Sequence, residues 1–366
     1  MRNVLVAVLA LASTSAAGET VVVYVSLDQE HSEAVLRDFE KETGVAVDAQ
    51  FDMESTKTVG MVTRLIAEKA APAADVYWSN ELATTIKLKR HGILTPYVSP
   101  SAADIPLEFK DPEGYWTGFA MRARVLIVNT DLVPAAEMPT SMWDLGKPAW
   151  RGKTCMARPE TGTTATHAAA LYVRDRDEAD RYFDSLVGNE VAWLTGNAHC
   201  MREVAAGRFH FGWTDTDDFN VAREQGQPVA VVYPDTAPGE AGVLYIPNSV
   251  MLVKGGHNPE GAKRLIDWLL RPAIEERLAK SSTAQIPVRD GVPAPGHVKR
   301  PDQIGKRMRV DFEAVGEGHD RWVQHVRAKL AASQRSTPTL LWILVGVVVA
   351  GGVGFALLKR VTEEPT

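Results

Sequence analysis

The sequence predicts an α/β protein built from two lobes. Three observations support this. Short β-branched runs alternate with stretches of helical periodicity, which favours parallel strands connected by helices. The alternation comes in two successive batches along the chain. About 320 residues lie between two apolar ends, enough for two lobes with proper cores.

Val21–Ser26 is a β-branched run, and after Gln29 the pattern turns helical with Val35, Leu36 and Phe39 on one side. Gly44 stands where a helix C-cap would sit. Residues Val45–Phe51 alternate as a strand, Val59–Ala70 is helical, and Ala74–Trp78 is a third strand, giving a βαβαβ start. Asp111–Gly118 is turn-rich, and Arg124–Asn129 is an apolar strand. The second batch opens with a strand at Thr154–Ala157, the loop Arg158–Thr164, and a helix from Ala165. Val229–Tyr233 is a strand, Val243–Val253 reads as a strand pair or a bent strand, and Pro259–Arg271 is a strongly amphipathic helix. No internal repeat is present.

The two ends carry different signals. Arg2 precedes the apolar run Val4–Ala12, and Ser15-Ala16-Ala17 supplies a small-residue cleavage site, so residues 1–17 read as a secretory signal. Residues 331–339 (AASQRSTPT) form a small, polar linker. The stretch Leu340–Leu358 holds no charged residue; as a helix it would span about 28 Å, near the hydrocarbon thickness of a bilayer. Lys359 and Arg360 follow, placing the tail 359–366 on the cytoplasmic side. Gly346, Ala350 and Gly354 give that span one smooth face, which helix–helix contact could use. An exported chain anchored on the outer face of a membrane is therefore expected.

With 46 acidic and 40 basic residues the net charge is −6, and there is no basic block, so nucleic acid is not an expected partner. The two cysteines, Cys155 and Cys200, could pair in an oxidising compartment or stay as buried thiols. There is no nucleophile elbow, zinc-protease helix motif, phosphate-binding P-loop or dinucleotide fingerprint. His167 and His199 fall near candidate loops but stand alone. The run Asp215-Thr216-Asp217-Asp218 fails as an EF-hand, because Asn220 and Gly226 occupy its sixth and twelfth positions.

Seven segments, in order, resemble the periplasmic ferric-iron-binding proteins of ABC importers, within the extracellular solute-binding proteins. They are VVVYVSLDQEHSEAVLRDFEKETGV from 21, ADVYWSNE at 74–81, RARVLIVNT at 122–130, W-R-G-K at 150–153, RPETGTTATH at 158–167, the acidic segment before AREQG at 222–226, and NPEGAKRLIDWLL at 258–270. Together they cover roughly residues 21–330. The resemblance implies a two-lobed periplasmic-binding-protein fold with strand crossovers between lobes and ligand in the cleft. Lobe 1 would comprise 18–124 and 235–290, and lobe 2 would comprise 125–234 and 291–330.

The resemblance also implies site residues. The family's His ligand position falls on Asp28, its Glu position on Asn80 with Glu81 adjacent, and its Tyr pair on Thr216 and Asp217. No common iron ligand is retained in place. Asp28, Glu81, Asp215, Asp217 and Asp218 nevertheless offer carboxylates near the expected cleft, suited to a hard cation such as ferric ion. The alternative is that these acids cap helices and line a solvated cleft. Thr161, Gly162 and Thr163 match the family's anion loop, where free N–H groups, hydroxyls and a helix dipole converge. Arg122, Arg124 and Asn197 fall at family positions close to that anion. The implied function is the substrate-binding receptor of an ABC importer, docking on a membrane permease and carrying ferric iron or another hard cation with a synergistic anion. An organic anion such as a phosphonate or sugar phosphate is the alternative, and a metal-dependent periplasmic hydrolase a remote one. No catalytic cofactor is expected.

Overall fold

The computed structural model describes residues 20–52 and 59–335. The first batch of elements is β1 (Val21–Val25), α1 (Gln29–Thr43), β2 (Val47–Phe51), α2 (Val59–Ala67), β3 (Val76–Ser79), α3 (Ala83–Arg90) and β4 (Leu94–Thr95). The long strand β5 (Thr117–Asn129) follows, then β6 (Thr154–Ala157), α4 (Gly162–Arg174), α5 (Arg176–Gly188), β7 (Ala192–Leu194), α6 (Asn197–Ala205), β8 (Phe211–Asp215), α7 (Thr216–Glu224) and β9 (Val229–Val232). The chain continues through β10 (Tyr245–Val253), α8 (Pro259–Leu269), α9 (Pro272–Lys280), α10 (Pro301–Ile304) and α11 (Phe312–Arg335).

The βαβαβ start is realised as a parallel unit, with β1 between β2 and β3. Helix α1 turns Ser32, Val35, Leu36 and Phe39 inward at helical spacing and ends on Gly44, whose φ of 70° is the left-handed cap that glycine adopts without steric cost. In the second batch β6 runs parallel to both β7 and β8.

Strand β5 makes the crossover. All thirteen of its residues are buried. From Thr117 to Ala123 it pairs antiparallel with β10, and from Arg124 onward it pairs with β8 and β9. The strand order is β2-β1-β3-β10-β5-β8-β6-β7, so a single strand is shared by both halves of the sheet. The segment expected to be a strand pair or a bent strand is one strand, β10, with a register shift between Pro247 and Asn248. Opposite this bulge Ala120 adopts a φ of 42°, and the Asn248 amide donates to the Ala120 carbonyl. The bulge and the strained residue re-aim the chain where the two halves meet.

One core packs α1, α8 and α9 on the β1 half, including Phe39 edge-on to Trp268. A second packs α4, α5 and α11 against the far half of β5. Helix α11 touches both halves. It stacks Trp322 on Tyr172 of α4 at 4.8 Å, and lays Gly316 against Ile86 of α3, where a Cβ would come within 2.5 Å. Ion pairs Lys87–Asp320 and Arg90–Glu317 hold it to α3, while the His325–Asp180 hydrogen bond and the Lys329–Asp184 ion pair hold it to α5.

Two expectations shift. Helix α4 begins at Gly162, not Ala165, so the last three residues of the expected loop belong to its first turn. Helix α11 continues to Arg335, so residues 331–335 of the expected linker 331–339 are helical. Among the described residues no helix is long and apolar enough to cross a membrane. The expected signal 1–17, span 340–358 and tail 359–366 lie outside the described residues.

Candidate ligand-binding site

Four helices begin at one cavity. Its wall includes Asp28, Thr161, Gly196 and Asp215, which are the N-cap residues of α1, α4, α6 and α7. The side chains of Asp28, Thr161 and Asp215 make no capping hydrogen bond, and Gly196 has no side chain to make one. The first-turn N–H groups of a helix lack intrahelical acceptors, and the helix dipole adds partial positive charge there. Within each half the parallel strands place their following helices at one sheet edge, and the edge after β1 meets the edge after β6, β7 and β8 at the cavity. The cavity volume is about 40 Å³, room for roughly three waters. A bare ion or a small oxyanion head group fits, whereas a larger molecule requires the walls to separate.

On the α4 side the chain enters through Thr161 in extended conformation and turns at Gly162, whose φ is 57°. A Cβ on Gly162 would meet nothing within 4 Å, so glycine is needed here for backbone conformation and not for space. The first helical bond is from the Ala165 amide to the Thr161 carbonyl at 3.2 Å.

Thr163 and Thr164 face inward. Thr163 Oγ1 donates to Asp215 Oδ2 at 2.5 Å and accepts from Asn197 Nδ2 at 2.8 Å. Thr164 Oγ1 donates to Asn197 Oδ1 at 3.0 Å. Asn197 therefore ties the first turn of α6 to that of α4.

The acidic side is interlocked with two arginines. Arg124 lies opposite Asp215 in the β5–β8 ladder and donates to its Oδ1 at 2.7 Å. It is fully buried, lies over the Trp213 ring at 5.5 Å, and reaches Thr163 and Thr164 at 3.3 Å. Arg122 lines the cavity itself and donates through Nε to Asp217 Oδ2 at 2.9 Å. Its other nitrogens donate to the Asn80 carbonyl, to Asn248 Oδ1 at 3.0 Å and to Gln285 Oε1 at 3.4 Å. Burial opposes the charge on Arg122, yet the carboxylates of Asp217, Asp215, Asp28 and Asp218 outweigh it and raise its pKa above the ordinary arginine value.

Asp218 Oδ2 accepts from Thr214 Oγ1 at 2.7 Å, and Asp217 also accepts from Gln285 at 3.2 Å. Asp215, Asp217 and Asp218 bring carboxylate oxygens within 4.8 Å of one another, and among the described residues they are the acidic group so gathered.

Behind the wall, the His167 ring lies 5.0 Å from Trp213. Burial, and then the charge of Arg124, push its pKa well below the ordinary histidine value, so it is neutral. His199 is on the outer surface with Thr195 and Glu203.

The structure thus brings Asp28, Arg122, Thr161, Gly162, Thr163, Asn197, Asp215, Asp217 and Asp218 around one cavity. It turns Glu81 away. Both Glu81 oxygens are occupied, Oε2 by the Ala83 amide at 2.5 Å and Thr166 Oγ1 at 2.6 Å, Oε1 by the Thr84 amide at 3.0 Å and its hydroxyl. Glu81 caps α3 instead of facing a ligand, while its neighbour Asn80 lines the cavity. Arg124 reaches the cavity only through Asp215 and the threonines.

Gly196, Asn248 and Gln285 are site residues that the sequence does not single out. Gly196-Asn197 before a helical run is the one legible signal among these, while Asn248 and Gln285 come from the distant end of the chain.

These features define a protein of the two-lobed periplasmic-binding type, with the strand crossover next to the site. The chain belongs to the bacterial extracellular solute-binding protein family, whose model matches residues 34–305. It is 25% identical over 245 residues to iron uptake protein A2 of Synechocystis, covering 64% of this chain and 70% of that one. It is 26% identical over 331 residues to a putative 2-aminoethylphosphonate-binding periplasmic protein of Salmonella typhimurium, covering 88% and 93%. Among solved structures it is similar to AfuA from Actinobacillus pleuropneumoniae with fructose-6-phosphate bound, at a TM-score of 0.75 and 23% identity over 84% of this chain and 98% of that one. Iron-bound HitA from Pseudomonas aeruginosa gives 0.74 and 21% over 84% and 99%. At such identities these structural likenesses establish the fold.

Proposed function

We propose that the chain is the extracytoplasmic receptor of an ABC importer, and that its ligand carries an oxyanion and a cationic centre together. The observation carrying this is the convergence of four helix N-termini and Arg122 on a cavity that also holds Asp28, Asp217 and Asp218. An oxyanion is suited to the first-turn amides of α4 and α6 and to the Thr161 hydroxyl. A bare anion would meet the carboxylates unfavourably, and a positive centre beside the anion offsets that repulsion.

Two ligands have this form. One is a hard cation with a synergistic anion, ferric iron included, in keeping with the iron uptake relative. The other is an aminoalkyl phosphonate, in keeping with the phosphonate-binding relative. The arginines favour the second, since Arg122 and Arg124 already hold Asp217 and Asp215 in salt bridges and would face a trivalent ion at close range.

A receptor role, not a hydrolytic one, agrees with this bonding. Asp215, the carboxylate closest to a cavity hydroxyl, is held by Arg124 and Asn197 as well. We further propose that residues 1–17 are removed on export and that 340–358 cross the membrane, leaving 359–366 in the cytoplasm. Helix α11, which contacts both halves, then leads toward the membrane within a few residues of Arg335.

The test is elemental analysis of gently isolated protein, with thermal melts in 2-aminoethylphosphonate and in ferric citrate. A metal-free protein stabilised by the phosphonate alone supports the organic ligand. Stoichiometric iron in the isolated protein supports the cation with anion. The tether predicts that the full chain resists carbonate extraction from membranes while a chain ending at Arg335 is released.

A further inference from the structure

We infer that Cys155 and Cys200 form a disulfide in the exported protein, and that this bond clamps the two segments building the oxyanion side of the cavity. The two sulfurs lie 2.8 Å apart and both residues are fully buried. Each Sγ otherwise reaches only the other's carbonyl, at 3.8 and 3.5 Å. Their surroundings are apolar, formed by Ile127, Met201, Val204 and Ala222. Nothing there suits a metal ion, and burial followed by the adjacent Cys200 pushes the Cys155 thiol up, away from a reactive thiolate.

The space is shaped for a pair of sulfurs. Gly212 of β8 sits opposite Cys155 in the ladder, and a Cβ there would come 2.3 Å from the Cys200 sulfur and 2.7 Å from that of Cys155. Cys155 is in β6, two residues before the cavity residue Ala157 and upstream of the Thr161 turn, while Cys200 is in the first turns of α6, three residues after Asn197. A bond between them joins β6 to α6 next to the Asn197–Thr163 contact. Backbone hydrogen bonds link β6 to β7, and the covalent link would add to that a direct tie to α6.

The chemistry balances through thiol–disulfide exchange. Each thiol loses a proton and one electron, the S–S bond forms, and the electron pair and protons pass to the disulfide of an oxidising exchange protein in the export compartment, which leaves as a dithiol. Exchange takes place before burial is complete, since the folded thiols are inaccessible. The inference rests on the exported location and is independent of which ligand the cavity takes.

The test counts thiols in full-length protein recovered from the export compartment, denatured without reductant. No free thiol is expected, together with a Cys155–Cys200 linked peptide in a non-reducing digest; the same chain made in a reducing cytosol should titrate two. Reduction is expected to lower the melting temperature by roughly 5–10 °C, and the Cys155→Ala/Cys200→Ala chain should show no such response to reductant. Two free thiols in the exported protein, or disulfide-linked dimers on a non-reducing gel, would overturn the inference. The thiol count is made on the native sequence, so it stands even if the double variant folds poorly.

Discussion

Arg122 and Arg124 are two residues apart on the same face of β5, and each is paired with an aspartate from the segment around the start of α7, yet they do different work. Arg124 is in the half of β5 that pairs with β8, directly across from Asp215, and the two side chains are 0% and 5% exposed. Its salt bridge is sealed by Thr163 and Asn197 and belongs to the scaffold. Arg122 is in the half that pairs with β10. Its partner Asp217 is 16% exposed, and the groups fixing it come from Asn80, Asn248 and Gln285 on the other side of the crossover. A shift of two residues along one strand thus separates an internal ion pair from one presented to the cavity.

The largest expected effect tests that contrast directly. Arg124→Met leaves Asp215 buried without its counter-charge, and should cost about 3–5 kcal/mol of folding stability in a denaturant titration. Arg122→Met leaves the partly exposed Asp217 at the cavity and should cost about 1–2 kcal/mol in stability, while weakening ligand capture by 2 kcal/mol or more, on the order of 30-fold. Equal destabilisation by the two substitutions, with equal losses of binding, would erase the distinction between scaffold pair and ligand pair.

A second test separates two threonines that the sequence presents as equivalent. Thr163 donates to Asp215 at 2.5 Å, so Thr163→Val removes a hydrogen bond to a buried charge and should destabilise by about 1–3 kcal/mol. Thr161 makes no capping bond. Thr161→Val should leave the melt within about 0.5 kcal/mol of the native chain and weaken oxyanion binding by about 0.5–1.5 kcal/mol by calorimetry. A Thr161→Val chain that loses stability and keeps its affinity would place Thr161 in the scaffold with Thr163.

The difference between these threonines marks how far the sequence could be read. The first βαβαβ unit was legible because β1 is a β-branched run buried at every residue but Val22, α1 buries its residues at a period near 3.6, and Gly44 announces the end of α1. The crossover was half legible. Arg124–Asn129 reads as an apolar strand, but Thr117–Ala123 contains Gly118 and Arg122, whose burial follows only from pairing with a strand more than 120 residues away. Helix α11 was missed as an element because Gly316 and Gly318 interrupt its pattern; at Gly316 a small residue is what lets it approach α3. At the site, one residue decided between Asn80 and Glu81. The carboxylate looked like the ligand, but the turn into α3 directs it to the Ala83 and Thr84 amides.

The smallest effect probes the scaffold side from behind. His167 lies against Trp213, which itself lies against Arg124, and among the described residues His167 Nε2 has no hydrogen-bond partner. Burial, with Arg124 adding to it, depresses the folded pKa well below 6.5. The unfolded chain therefore takes up a proton near pH 6.5 that the folded chain refuses, and stability declines as pH falls through that value, until the folded pKa is reached. Between pH 7.5 and 5.5 this one residue should remove about 1 kcal/mol, and His167→Gln should flatten that part of the profile. Because His167 lies behind the wall and does not line the cavity, ligand affinity should change less than stability over the same interval. A parallel loss of affinity would mean that the Trp213–Arg124 stack transmits to the cavity wall, and the separation between the two arginines would then be narrower than their positions imply.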